Sequence, residues 1–269
     1  MSTAPLIPQQ SDGSESGLVK ASRQSTQFAR FLARESANWV RPAARLLEIE
    51  GREASEAYKQ GGEPAALAAV DEREWLRYLD RVWMSTVPRA GETTADAISP
   101  MKAKAGPPDP FMQAAIQWLK LNAGERVQGM TQTSRDEIGN QIRIGTSKGE
   151  TREQIAERIV RHRKSITPER AQTIARTEVH AAANYGSLVA ADTAAVPMYK
   201  IWISFAGARD THAAAAGQRR SLDVAFIVGG YPLIFPGDSS MGAPAAEICN
   251  CRCVMTFEAR RPSGRRRAA

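Results

Sequence analysis

Hydrophobic spacing changes character once along this chain, near Pro197. Before that point apolar residues recur every three or four positions, the spacing of a helix that buries one face. Beyond it they alternate over runs of a few residues bounded by glycine and proline, the spacing of short strands. The pattern predicts an α+β fold: a mostly helical N-terminal region followed by a small C-terminal α+β domain with short antiparallel strands.

The helical part divides at its breakers. Residues 1–17 are rich in Ser, Gly, Gln and Pro and predict a disordered arm. Residues 18–87 form a helical N-terminal region. One helix over Gln27–Val40 ends at Arg41-Pro42, a second over Ala43–Lys59 stops at Gly61-Gly62, and a third begins at Pro64. The third carries the stripe Leu67, Val70, Trp75, Leu79, Val82 and Trp83, which is a core face. Residues 88–110 read as a Pro/Gly-rich linker, with Pro88, Pro100, Pro107 and Pro108 and no sustained period. Residues 111–258 form the last domain, helical over 111–194 and α+β over 195–258, and 259–269 form an Arg-rich tail.

Helix starts within 111–194 are marked by Asp109-Pro110 and by three Ser/Thr-x-x-Glu/Gln-type boxes, Ser134–Glu137, Thr151–Gln154 and Thr167–Arg170. They predict short helices joined by short turns, then a long helix through Thr173–Ala191. Strands are expected at Tyr199–Phe205, Ala225–Val228, Leu233–Phe235 and Val254–Phe257, with a turn and helix over Ala206–Gly217.

The 36 basic residues exceed the 29 acidic ones by seven. Five of the basic residues, Arg260, Arg261, Arg265, Arg266 and Arg267, lie in Ala259–Ala269, so without the tail the excess is only two. A tail of this kind binds polyanions by releasing counterions, while a near-neutral body need not read nucleic acid. No helix-turn-helix or zinc-finger spacing is present, which argues against sequence-specific recognition. No apolar run is long enough to cross a bilayer, and Met1–Gln10 lacks the basic start and apolar block of a signal peptide. The three cysteines, Cys249, Cys251 and Cys253, fall within five residues. They cannot staple distant parts of a fold, and a reducing compartment fits them better than a disulfide framework.

Four islands follow one another through the last hundred residues. They are Arg170-Ala171-x-x-Ile174-Ala175-Arg176-Thr177-Glu178, Lys200-Ile201-Trp202, Arg209-Asp210-Thr211-His212-x4-Gly217-Gln218, and Pro236-Gly237-Asp238 leading to Asn250-Cys251-Arg252-Cys253. In this order they resemble the head morphogenesis, or minor head, proteins of tailed bacteriophages, the family of Mu protein F and the SPP1 portal-associated head protein. The resemblance covers about Ser134–Phe257. It implies a non-enzymatic virion component at the portal vertex, made in the host cytoplasm and taking part in head assembly and the handling of packaged DNA. The implied partners are the portal protein, the capsid interior and double-stranded DNA bound non-specifically, with no membrane and no small-molecule substrate.

Within the islands, Arg176, Glu178, Asp210, His212, Asn250, Cys251 and Cys253 form the structural motif. Arg176 and Glu178 stand two apart on a helix and face different ways, so one charge turns inward, toward Asp238 or the backbone near Asn250. His180 is four residues from Arg176 and shares its face. Cys249, Cys251 and Cys253 with His212 are the residue types of a zinc site. One-residue spacing is tighter than the usual structural pattern, and the plain alternative is two small buried thiols packed on the His212 turn. Asp210 and His212 with a cysteine nucleophile would make a small metal-dependent enzyme or effector the competing class. Against it, His212 can instead bond a backbone carbonyl or Glu247 and pin its loop. Trp39 and Trp118 are candidate anchors for a partner.

Overall fold

The computed structural model describes residues 15–98 and 109–260. Residues 1–14 of the expected arm, 99–108 of the expected linker, and Arg261, Arg265, Arg266 and Arg267 lie outside them. Four long helices come first: α1 (Glu15–Ala68), α2 (Glu72–Ile98), α3 (Pro110–Ser147) and α4 (Arg152–Asp192). Then follow β1 (Met198–Ile203), α5 (Asp210–Ala214), β2 (Arg219–Ser221), β3 (Phe226–Val228), β4 (Tyr231–Leu233), α6 (Ala245–Ile248) and β5 (Val254–Ala259). The α+β order expected from the spacing is the order observed. No described helix is long and apolar enough to cross a membrane.

The helices are longer than their breakers predict. Pro42, Pro88 and Pro168 all lie inside helices rather than at their ends. A mid-helix proline costs about 3 kcal/mol, and burial on both sides of each one offsets it. Past Pro42, Ala43 and Leu47 are fully buried, and past Pro88 so is Ala90. At Pro168 the Thr167 hydroxyl donates to the Arg163 carbonyl at 2.8 Å, so Thr167 braces an uninterrupted helix instead of starting one. Ser134 likewise sits inside α3, where its hydroxyl donates to Glu50 at 2.9 Å. Of the three boxes, only Thr151–Gln154 caps a helix, with both reciprocal bonds formed. Asp109 also caps as expected, its side chain accepting the Phe111 N–H. The Gly61-Gly62 stop is real: Gly62 adopts φ 70°, and the chain kinks there within α1. The predicted third helix, however, breaks again before Glu72, where Asp71 accepts the Arg73 N–H at 2.9 Å.

α4 is the central helix, and α1, α2 and α3 all pack on it. One buried cluster runs from Phe28, Leu47, Trp75 and Trp83 through Trp118 and Val179 to Trp202, Phe226 and Val254, so the helices and the strand-bearing unit share a core. Trp118 stacks on Trp83 with ring centres 3.6 Å apart. Of the two candidate anchors it is a core residue, and Trp39 is half-buried against Tyr78. A smaller cluster around Tyr58, Ile138, Ile142 and Ile159 closes the far end of the bundle. Between the clusters, Glu50 accepts from Trp75 Nε1 at 2.6 Å, Ser134 and Arg163, joining the four helices through one buried carboxylate.

In the C-terminal unit β1 is the centre of an antiparallel sheet ordered β2-β1-β5, with Trp202 opposite Met255 and Lys200 opposite Phe257. β3 and β4 form a hairpin across Gly229 and Gly230, both at positive φ, the conformation a two-residue turn of this kind requires. β2 is the strand that the spacing did not announce, since its Arg219-Arg220-Ser221 carries no apolar alternation.

Candidate functional site

The first and last of the four sequence islands meet on one stretch of α4. Thr177 accepts the backbone N–H of Asn250 at 2.9 Å, and Arg176 donates to the Asn250 side-chain oxygen. Two turns on, Asn184 donates to the Cys253 carbonyl at 3.2 Å. Asn250 itself adopts φ 58°, a left-handed conformation that asparagine tolerates better than most residues. Gly237 packs on the same helix, where a Cβ would meet Ala181 at 3.2 Å, and Asp238 pins its turn by accepting the N–H groups of Ile234 and Ser240.

The inward charge of the Arg-Thr-Glu island is Glu178. Its partner is Arg126 of α3, through two bonds of 2.9 Å, and neither Asp238 nor the Asn250 backbone is involved. Arg126 also donates to the Gly237 carbonyl at 3.2 Å, tying α3, α4 and the Pro-Gly-Asp turn together. No motif marks Arg126. A lone arginine on a helix carries no sequence signal for its distant partner, and the same is true of Lys200. Lys200 is fully buried at the sheet centre and donates to the carbonyls of Leu222 and Ile234 at 2.7 Å. Burial pushes its amine down to about 8.

Arg176 and His180 do share a face. With Arg252 they line a cavity of about 520 Å³ between α1, α4 and the turn at Phe205-Ala206. His180 Nδ1 is buried without a hydrogen-bond partner. Burial, reinforced by the two arginines, pushes its imidazole down to about 3.

Over α5 the chain brings His212, Cys251 and Cys253 together in the interior. His212 Nδ1 lies 3.4 Å from Cys253 Sγ and 3.5 Å from Cys251 Sγ. Trp202 stands edge-on to the imidazole with centres 5.7 Å apart, and Ser204 donates to the His212 carbonyl at 2.6 Å. The far ring nitrogen, Nε2, lies 3.1 Å from Glu247 Oε2 and 3.0 Å from Arg209 Nη2. The Cys253 thiol is pushed down to about 5, first by its hydrogen bond with Cys251 and then by those with His212 and Ser204. Cys251 is pushed up by the same partnership and by burial.

Two candidates stand apart from this group. Cys249 is exposed, because the left-handed turn at Asn250 rotates it away from the register of the other two sulfurs. It lines instead a groove of about 580 Å³ between α3, α4 and α6. Asp210 is exposed on the first turn of α5. The carboxylate that faces His212 is Glu247, the pinning contact set against the alternative of an Asp210–His212 acid–base pair. Of the tail, Arg260 is exposed at the end of β5, with its guanidinium 5.6 Å from the Tyr199 ring centre and that of Arg219 3.6 Å from it.

Residues 136–256 match the family model described as Phage Mu protein F like protein. That stretch is just under half of the chain, and all four islands fall in it. It takes in the end of α3, all of α4 and nearly all of the strand-bearing unit, while α1 and α2 lie outside it. The match supports a phage head-related protein, in keeping with the resemblance carried by the islands. No curated protein and no solved structure matches the chain.

Proposed function

We propose that this protein is a minor head component of a tailed phage, seated at the portal vertex and contacting packaged DNA through its Arg-rich tail. The observation that carries this reading is the Mu F-like stretch at 136–256, whose last island is bonded to α4 through Thr177 and Asn184. In such a protein the islands serve architecture. They fix the strand-bearing unit against a helical bundle and leave the long outer helices to meet other head components. α1 runs 47 residues from Glu15 before Gly62 kinks it, roughly 70 Å of helix at 1.5 Å per residue. The tail adds charge that contacts phosphates without reading bases. We read the protein as non-enzymatic and place it in the virion after assembly in the host cytoplasm.

Co-expression with the portal and major capsid proteins, followed by gradient purification and mass-spectrometric counting, tests this. A few to a few dozen copies per particle, rising and falling with the portal, is the expected result. Absence from particles overturns it. The competing reading, a small metal-dependent enzyme, has the His212–Cys251–Cys253 group in its favour, and it predicts turnover that disappears with Cys253→Ser.

A further inference from the structure

We infer that His212, Cys251 and Cys253 bind a zinc ion through Nδ1 and the two Sγ atoms. The three donor atoms all lie within 4.8 Å of one another, and all three residues are buried. In a tetrahedral zinc site with Zn–S about 2.3 Å and Zn–N about 2.0–2.1 Å, each N···S edge is about 3.5 Å and the S···S edge about 3.8 Å. The two N···S edges here are 3.4 and 3.5 Å. A neutral Nδ1 has either one proton or one lone pair and can serve only one sulfur at a time, whereas a metal ion draws both to the same distance.

The surroundings suit these three donors. Cys253 N–H points at Cys251 Sγ, 3.4 Å away, a backbone donor that stabilises a thiolate and sets the tight Cys-x-Cys loop. Glu247 Oε2 and Arg209 Nη2 ask for opposite tautomers at Nε2. A guanidinium only donates and wants Nε2 bare, while a carboxylate only accepts and wants Nε2–H. A metal on Nδ1 resolves this in favour of Glu247, giving a carboxylate–histidine–zinc relay of the kind that orients metal-bound imidazoles. Two thiolates balance the charge of the ion. The three ligands line a cavity of about 180 Å³ with Arg209, Asn250 and Arg252. Cys249 is not a ligand. The ion adds a clamp between the Asn-Cys-Arg-Cys segment and α5, beside the bonds that Arg209 donates to the Cys249 and Glu247 carbonyls.

The test uses the full chain, purified under reducing conditions without chelator. Zinc content by elemental analysis should be about one per chain. Cobalt(II) added to the metal-free protein should give an intense visible spectrum of tetrahedral type with sulfur-to-cobalt charge transfer in the near ultraviolet. Cys249→Ser should keep both signals, whereas Cys251→Ser, Cys253→Ser and His212→Asn should lose the stoichiometric metal. Because those three variants remove core side chains, Glu247→Gln supplies a second measurement on a folded protein. It should keep one zinc but weaken its binding about 10–100-fold in chelator competition. A reduced wild-type chain that gives no charge-transfer band overturns the inference, as does a Cys251→Ser/Cys253→Ser double variant that binds cobalt like wild type. Neither result bears on the count of copies per particle, so the zinc site and the head-protein reading fail separately.

Discussion

Arg126 holds Glu178 through two parallel hydrogen bonds, each 2.9 Å long, with both side chains withdrawn from solvent. Trp83 Nε1 adds a third, longer bond to the same carboxylate at 3.4 Å. The pair joins helices 52 residues apart in sequence, and Arg126 reaches on to the Gly237 carbonyl. Taking away one member of such a pair strands a charge in the interior, which typically costs about 3–5 kcal/mol. Arg126→Met and Glu178→Leu should therefore each lower the urea midpoint sharply. The double variant, with no charge left unpaired, should recover most of the loss. Single variants that cost under about 1 kcal/mol would show the pair to be energetically idle.

Gly186 lies where α4 crosses α2 at backbone contact. A Cβ there would sit 2.3 Å from the Val87 carbonyl oxygen and 3.2 Å from Gly91 N. Alanine is the better helix former by about 1 kcal/mol, yet Gly186→Ala should destabilise by about 1–3 kcal/mol because the helices must separate. Gly124, exposed on α3, has nothing within 4 Å of its added Cβ. Gly124→Ala should stabilise by about 0.5–1 kcal/mol. Paired urea titrations decide it, and two changes of the same sign would refute the close approach.

His180 makes stability depend on pH. Its imidazole is buried beside Arg176 and Arg252 and its folded value lies at about 3, below the ordinary 6.5. Above 6.5 both folded and unfolded chains hold it neutral, and its contribution is constant. As pH falls from 6.5 toward 3 the unfolded chain takes up a proton that the folded chain refuses, so stability declines through that window. Each unit is worth about 1.4 kcal/mol, or about 2 kcal/mol between pH 6.5 and 5. His180→Leu should flatten this slope in denaturation curves taken at several pH values. An unchanged slope would assign the acid sensitivity to other groups.

Sequence pattern revealed the element types more readily than their ends. Periodicity separates the helices from the strands because it reports which face is buried, and burial is local. Proline and Ser/Thr signals misplaced the ends. Pro42, Pro88 and Pro168 read as breaks because their cost is local, whereas the packing of α1 and α2 along α4 that offsets it is distant in sequence. The candidate site shows the same division. His212, Cys251 and Cys253 were visible from residue type and were brought together as expected. Cys249 was excluded by a left-handed Asn250, which one-residue spacing does not encode. Glu247 is the pinning partner that residue type already offered His212, whereas Arg126 had no motif at all.

The tail offers the test of DNA contact. Arg261, Arg265, Arg266 and Arg267 lie beyond the described residues, and Arg260 remains with Arg219 beside Tyr199. Each phosphate neutralised on duplex DNA contributes about 0.9 to the slope of log affinity against log salt. If all four tail arginines engage phosphates, deleting residues 261–269 should reduce that slope by about 3–4 and weaken binding most at low salt. Fluorescence anisotropy of a short duplex over a potassium chloride series measures it. Sequence should not matter, so two unrelated duplexes should give the same slope before and after the deletion. A slope that survives the deletion would move the contact to the body of the protein. Arg219 and Arg260 on their shared tyrosine would then be the first residues to replace.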